Sequence, residues 1–179
     1  RTYVFPQAIN ATASISNNIT TLAIDQYNLS LYRNNTIVAS TTTGVVASQV
    51  VQIVPATYNY TVVFNGSTNY TDVNYVDNRF AILNQGGINV TLQLNDTSAN
   101  RTYIYPQSLN ATAARNSTSF TTINISLFRN NTIVNSSTSE LSIFEYTRLA
   151  VSLYNYTVVV SGGGNYSDAS IVSLRNADI

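Results

Sequence analysis

The chain repeats itself. RTYVFPQAINATA at 1–13 returns as RTYIYPQSLNATA at 101–113, an offset of 100. YNLSLYRNNTIVAS at 27–40 returns as INISLFRNNTIVNS at 123–136, and YNYTVVFNGSTNYTD at 58–72 as YNYTVVVSGGGNYSD at 154–168, both at an offset of 96. The matches run in the same order through both halves, the signature of a duplicated unit, so one chain of 179 residues has to build one small fold twice. The polar run NDTSAN separates the copies, and the expected units are residues 1–95 and 96–179.

Within a copy the hydrophobic period is two. Tyr58, Tyr60, Val62 and Phe64 fall on one face of a strand, with Asn59, Thr61 and Asn65 on the other. Ile9, Ala11, Ala13 and Ile15 alternate with Asn10, Thr12, Ser14 and Ser16 in the same way. Val, Ile, Thr and Tyr dominate, and no helical period is sustained. Each copy holds about six or seven such runs divided by NN, NG, GG or GGG turns. That pattern predicts an all-β chain of two tandem β-sandwiches of immunoglobulin-like size.

One strand breaks the symmetry. INVTLQLN, residues 88–95, sets Ile88, Val90, Leu92 and Leu94 against Asn89 and Thr91, yet it occurs once. With Arg79 aligned to Arg175, Ile179 falls opposite Leu83, so the second copy stops before its own INVTLQL. The expectation is that this strand closes unit 1 and that unit 2 lacks its final strand. A sandwich one strand short exposes backbone donors and acceptors together with part of its core, and it invites a strand from another chain. The expected donor is the N-terminal strand, residues 1–16, with Tyr3, Val4, Phe5, Ile9 and Ala11 as the interface. The plainer alternative makes residues 1–16 the first strand of unit 1, as 101–116 would be for unit 2.

Composition removes most chemistry. Eight basic residues, all of them Arg, balance eight acids, so there is no basic face for nucleic acid. The chain has no Cys, His, Met, Trp or Lys. Zinc, copper and iron lose their usual ligands, and cysteine nucleophiles, Ser–His pairs and lysine Schiff bases are excluded. The expectation is a protein that is not an enzyme, with no catalytic residues, no cofactor and no metal. Asp72, Asp77 and Asp168 are the only acids with a claim on calcium, and solvated loop acids are the simpler reading. No apolar run reaches the ~18 residues of a membrane span.

A chain with 9% charged residues needs another source of solubility, and asparagine supplies it. Of 24 Asn, 17 begin Asn-X-Ser/Thr sequons, against roughly six expected from the Ser and Thr content. They are Asn10, Asn18, Asn28, Asn34, Asn59, Asn65, Asn69, Asn89, Asn95, Asn100, Asn110, Asn116, Asn124, Asn130, Asn135, Asn155 and Asn165. In ten of them the middle residue is Ala, Ile, Leu, Val or Tyr. On a strand that residue enters the core while Asn and Ser/Thr share the solvent face. Covalent N-glycans, and so an extracellular or cell-surface location, are expected. Dense sequons without a single Cys point towards an archaeal cell surface rather than a disulfide-rich eukaryotic one.

With these features together, YNYTVVF and INVTLQL resemble strands of carboxypeptidase-regulatory-like and Cna-B-like surface modules, although without Lys their isopeptide bond cannot form. Sequon density, sandwich pattern and strand deficit resemble the subunits of glycosylated archaeal thread filaments. That resemblance implies immunoglobulin-like, pilin-like subunits joined by donor-strand complementation from an N-terminal segment. The expected function is therefore a filament subunit whose partners are identical subunits, with its N-terminal strand inserted in the incomplete second domain of a neighbour. The alternatives are an adhesin or carbohydrate-binding module that meets cell-surface glycans, its 13 Tyr stacking on sugars, and a surface-layer or stalk component.

Overall fold

Asn34 and Asn35 turn the chain with φ of 47° and 64°, and Asn130 and Asn131 do the same with 48° and 64°. Asparagine tolerates this left-handed region, and two such residues in a row make the tight hairpin turn that matches strand twist. The turns join β3 (Asn28–Arg33) to β4 (Thr36–Thr41), and β11 (Asn124–Arg129) to β12 (Thr132–Ser137). Each tip is pinned by its first Asn. The Asn59 N–H donates to Asn34 Oδ1 and the Asn155 N–H to Asn130 Oδ1, both at 2.8 Å.

The computed structural model describes residues 1–15, 27–43, 46–66, 72, 78–116 and 123–179, with only the backbone given for 170–174. All the described regular structure is β, and it divides into unit 1, Arg1–Asn84, and unit 2, Gln85–Ile179.

In unit 1 a five-stranded sheet has the order β1 (Thr2–Val4), β7 (Asn78–Asn84), β6 (Ala56–Asn65), β3, β4. It is antiparallel apart from β1, which runs parallel to β7 with Thr2 opposite Ile82. The facing sheet is β2 (Ile9–Ser14) paired antiparallel with β5 (Val46–Val51). Between them lie Ile9, Ala13 and Ala47 of the smaller sheet and Leu29, Leu31, Tyr60 and Ala81 of the larger. Tyr58, Val62 and Phe64 pack against that cluster as the alternation predicts.

Unit 2 repeats this plan. Its larger sheet has the order β9 (Arg101–Thr102), β15 (Ala169–Asp178), β14 (Leu153–Ser161), β11, β12. Thr57 opposite Ile82 becomes Leu153 opposite Asp178, and the match continues to Tyr156 opposite Arg175, after which a bulge between Tyr156 and Val158 shifts β14 against β15. The smaller sheet differs, with three strands in the order β13 (Ser142–Thr147), β10 (Leu109–Arg115), β8 (Val90–Leu94).

The all-β reading and the immunoglobulin-like sandwiches hold, but the unpaired repeat strand lies elsewhere. INVTLQL does not close unit 1. It is β8, antiparallel to β10, with Leu94 opposite Ala111 and Leu92 opposite Ala113. The boundary accordingly falls at Asn84/Gln85 instead of 95/96. The place that a final strand would fill in unit 2 is taken by β8, which enters from before β9. The physical reason is burial: Val90, Leu92 and Leu94 cover the core of unit 2, and Leu94 is wholly inaccessible.

Candidate functional site at the open edge of unit 1

The filled position in unit 2 defines what the site looks like when complete. At one end of β8 the Asn89 N–H donates to Asn116 Oδ1 at 3.0 Å, and the Asn116 N–H returns a bond to the Asn89 carbonyl at 3.1 Å. At the other end Asn95 and Asp96 form a left-handed turn with φ of 44° and 63°. Arg101 closes over that turn, Nη1 donating to the Asn95 carbonyl at 2.7 Å and to Thr97 Oγ1 at 3.3 Å. The Asn95 side chain is read as well: its Oδ1 accepts the Asn110 N–H at 2.7 Å and the Tyr103 hydroxyl at 3.3 Å.

In unit 1 the matching edge of β2 carries no strand among the described residues. An open groove of about 820 Å³ runs along it, walled by Ile9, Ala11 and Ala13 of β2, Tyr60 and Val62 of β6, and Arg79, Phe80 and Ala81 of β7. Arg1 and Tyr3, the repeat counterparts of Arg101 and Tyr103, stand in its lining. Val158 of unit 2 is fully buried, whereas its counterpart Val62 is only half-buried. Ala111 and Ala11 differ in the same sense. The groove therefore has an apolar floor between polar rims, with one sheet edge unpaired among the described residues, the arrangement that accepts an added strand. Burial pushes the Tyr60 phenol above its ordinary pKa, with Arg33 opposing, so the charge in this lining at neutral pH comes from Arg1 and Arg79.

The residues expected to donate a strand behave differently. Thr2–Val4 pairs within unit 1, the Phe5 N–H bonds to the Asn84 carbonyl at 3.0 Å, and Phe5 and Ile9 are buried. Tyr3, Val4 and Phe5 thus belong to their own sandwich, because β7 satisfies their backbone and the core takes the Phe5 ring, while Val4 faces solvent. Tyr3, Ile9 and Ala11 instead line the trough, as walls of an acceptor. Sequence reasoning missed Arg1, Arg101 and Tyr103; the signal was the RTY that opens both copies immediately before the chain crosses to the smaller sheet.

The sequons sort by exposure. Asn10, Asn34, Asn65, Asn89, Asn100, Asn116, Asn124 and Asn130 are exposed, and Asn28, Asn59, Asn95, Asn110, Asn135 and Asn155 are half-buried. Asn165 is 5% exposed. Asn18 and Asn69 lie outside the described residues. The middle residues Leu29, Tyr60, Val90, Ala111, Ile125 and Tyr156 all point inward and are buried, as the alternation predicts. Asp72 and Asp168 brace equivalent turns, each Oδ1 accepting a main-chain N–H at 2.8 Å, from Gly66 and Gly162. Asp77 lies outside the described residues. Among the described residues there is no group of three or more acids, His or Cys, and no helix long and apolar enough to cross a membrane.

No protein-family profile matches the chain, and no curated protein matches it. Among solved structures it is similar to the fibronectin(III)-like modules of Clostridium thermocellum CbhA, with 12% identity and a TM-score of 0.37 over 99% of this chain and 88% of that one. It is also similar to the human OSCAR ligand-binding domain, with 7% identity and a TM-score of 0.32 over 99% and 90%. The third is Sidekick-1 immunoglobulin domains 1–5, with 11% identity and a TM-score of 0.31 over 99% and 38%.

Proposed function

We propose that the protein is a structural subunit of an extracellular, N-glycosylated filament, in which a strand from one subunit completes unit 1 of the next. One observation carries this reading: the same sandwich is built twice, closed by β8 in unit 2 and, among the described residues, without a strand at the same edge in unit 1. Strand addition at that edge is a heterologous contact, and heterologous contacts that do not close form one-dimensional polymers. Three aliphatic side chains entering the trough would contribute roughly 1.5–3 kcal/mol each before ordering costs, in addition to the backbone ladder. The sequons along exposed strand faces support the extracellular, glycosylated part of the reading, since carbohydrate there replaces the missing surface charge. This polarity reverses the one expected from sequence, with unit 1 as acceptor and the N-terminal strand as part of its wall.

Electron microscopy of native cell-surface material provides the test. Fibres one subunit wide, decorated by an antibody to this chain, are expected. A two-dimensional lattice, or a protein that stays monomeric at high concentration and binds glycans saturably, would overturn the reading.

A further inference from the structure

We infer that the N-glycan on Asn110 lies back across the rings of Tyr146 and Phe144, so that the outer face of the three-stranded sheet of unit 2 is a built seat for the protein's own carbohydrate. This rests on the glycosylated part of the reading above, but adds a contact, a location and a structural role for one glycan.

The seat follows from strand register. β13 stands opposite β10 with Tyr146 facing Asn110 and Phe144 facing Thr112, so both ends of the Asn110 sequon have an aromatic cross-strand partner. The Asn110 carbonyl accepts the Asn95 N–H at 2.8 Å, and the Asn110 N–H donates to Asn95 Oδ1 at 2.7 Å. Both backbone groups of Asn110 thus point towards β8. Its pair with Tyr146 on the β13 side is therefore of the non-hydrogen-bonded kind, in which facing side chains come closest. Alternation puts Ala111 and Ile143 in the core and sends Asn110, Phe144 and Tyr146 to the opposite face.

Both rings stand in solvent. Tyr146 is 70% exposed and Phe144 61%, on one strand face of a chain that has little charge to keep such a patch soluble. A pyranose ring presents C–H groups on its face and hydroxyls at its edge, so it packs flat on an aromatic ring while its rim stays wet. Past Tyr146 the surface dips into a hollow of about 410 Å³, walled in part by Arg101, Thr102, Gln107 and Ser108, polar groups suited to that rim.

The duplication supplies an internal control. In unit 1 the same register sets Asn10 opposite Val50 and Thr12 opposite Ser48, so that acceptor has no ring beside it. Unit 1 places its aromatic elsewhere: Phe80, 55% exposed, faces Asn59, whose N–H and carbonyl both turn to Asn34. There the repeat counterpart Asn155 faces Asn176. The aromatic partner thus goes with particular sequons and is not a requirement of the sandwich.

The test uses the full-length protein from an N-glycosylating host, beside Asn110→Gln and Thr112→Ala, each of which removes this sequon. Tyr105, 59% exposed in the same unit, is the reference for chemical nitration. We expect a glycan on Asn110, Tyr146 nitrated several-fold more slowly than Tyr105, and similar rates for the two in both variants. Loss of the glycan should also lower the unit 2 thermal transition by about 4–8 °C, the shift expected when a domain of this size loses one aromatic contact. Asn10→Gln should move the unit 1 transition less. Tyr146→Val should lower the unit 2 transition in the glycosylated protein, and by less in the Asn110→Gln background. The inference is overturned if Asn110 carries no glycan, if Tyr146 and Tyr105 nitrate alike in the glycosylated protein, or if Tyr146→Val costs the same with and without the glycan. No glycan on any asparagine would sink the seat together with the glycoprotein reading. Glycans at Asn10 and Asn124 with Tyr146 freely nitrated would refute the seat and leave that reading standing.

Discussion

Tyr156 donates its phenolic hydrogen bond to Glu145 Oε2 at 2.8 Å, and the same carboxylate is ion-paired with Arg129. Unit 1 builds this cluster with a neutral centre, Gln49 Oε1 accepting from Arg33 at 3.3 Å and from Tyr60 at 3.4 Å. Burial, reinforced by the Glu145 carboxylate, pushes the Tyr156 phenol well above its ordinary pKa. An unfolded tyrosine ionises near pH 10 while this one stays protonated in the fold, so its contribution is complete below about pH 10 and is lost as pH rises above it. Unit 2 should lose up to about 1.4 kcal/mol per pH unit from this group above that point. Denaturant titrations of wild type and Tyr156→Phe between pH 8 and 12 check this; the variant should show the shallower alkaline decline.

Leu94 sets a second test, because it decides which unit owns β8. It is fully buried against unit 2, and Leu94→Ala should cost about 2–5 kcal/mol there. Hydrogen exchange should speed up in β11 and stay unchanged in β3. The reverse pattern would return the strand to unit 1.

The sequons are not equivalent substrates. Asn165 is buried at 5% exposure, so a glycan on its side chain is incompatible with folded unit 2. Site-by-site glycopeptide mass spectrometry should find Asn165 unmodified, and Asn10, Asn65, Asn100 and Asn124 occupied.

Gly162 is held by contact rather than by backbone conformation. A Cβ at this position would lie 2.1 Å from the Tyr166 carbonyl oxygen, and main chain cannot swing aside as a flexible side chain would. Gly162→Ala should destabilise unit 2 by about 2 kcal/mol or more, seen as a lower midpoint in its thermal transition.

Much of this architecture is local and so was legible. The Asn34–Asn35 and Asn130–Asn131 turns follow from asparagine's tolerance of positive φ, and the faces of Tyr58, Tyr60, Val62 and Phe64 follow from the pleat. The duplication likewise implied that both units share one plan. The partner of β8 was not legible, because its alternation gives it an apolar face without naming the edge it joins. In a tandem repeat the segment between two copies suits the end of the first and the start of the second equally well.

The amino-acid sequence by itself determined two β-sandwiches, their hairpins, and a surface of sequons in place of charge. Only the tertiary structure decided that INVTLQL belongs to unit 2, that the N-terminal strand stays in its own sheet, and that among the described residues the unpaired edge lies on unit 1. The reason is that a strand's faces are fixed residue by residue through the backbone, whereas its neighbour is fixed by distant groups. Here Asn116 and Arg101 hold the two ends of β8, and the core around Val158 buries its face.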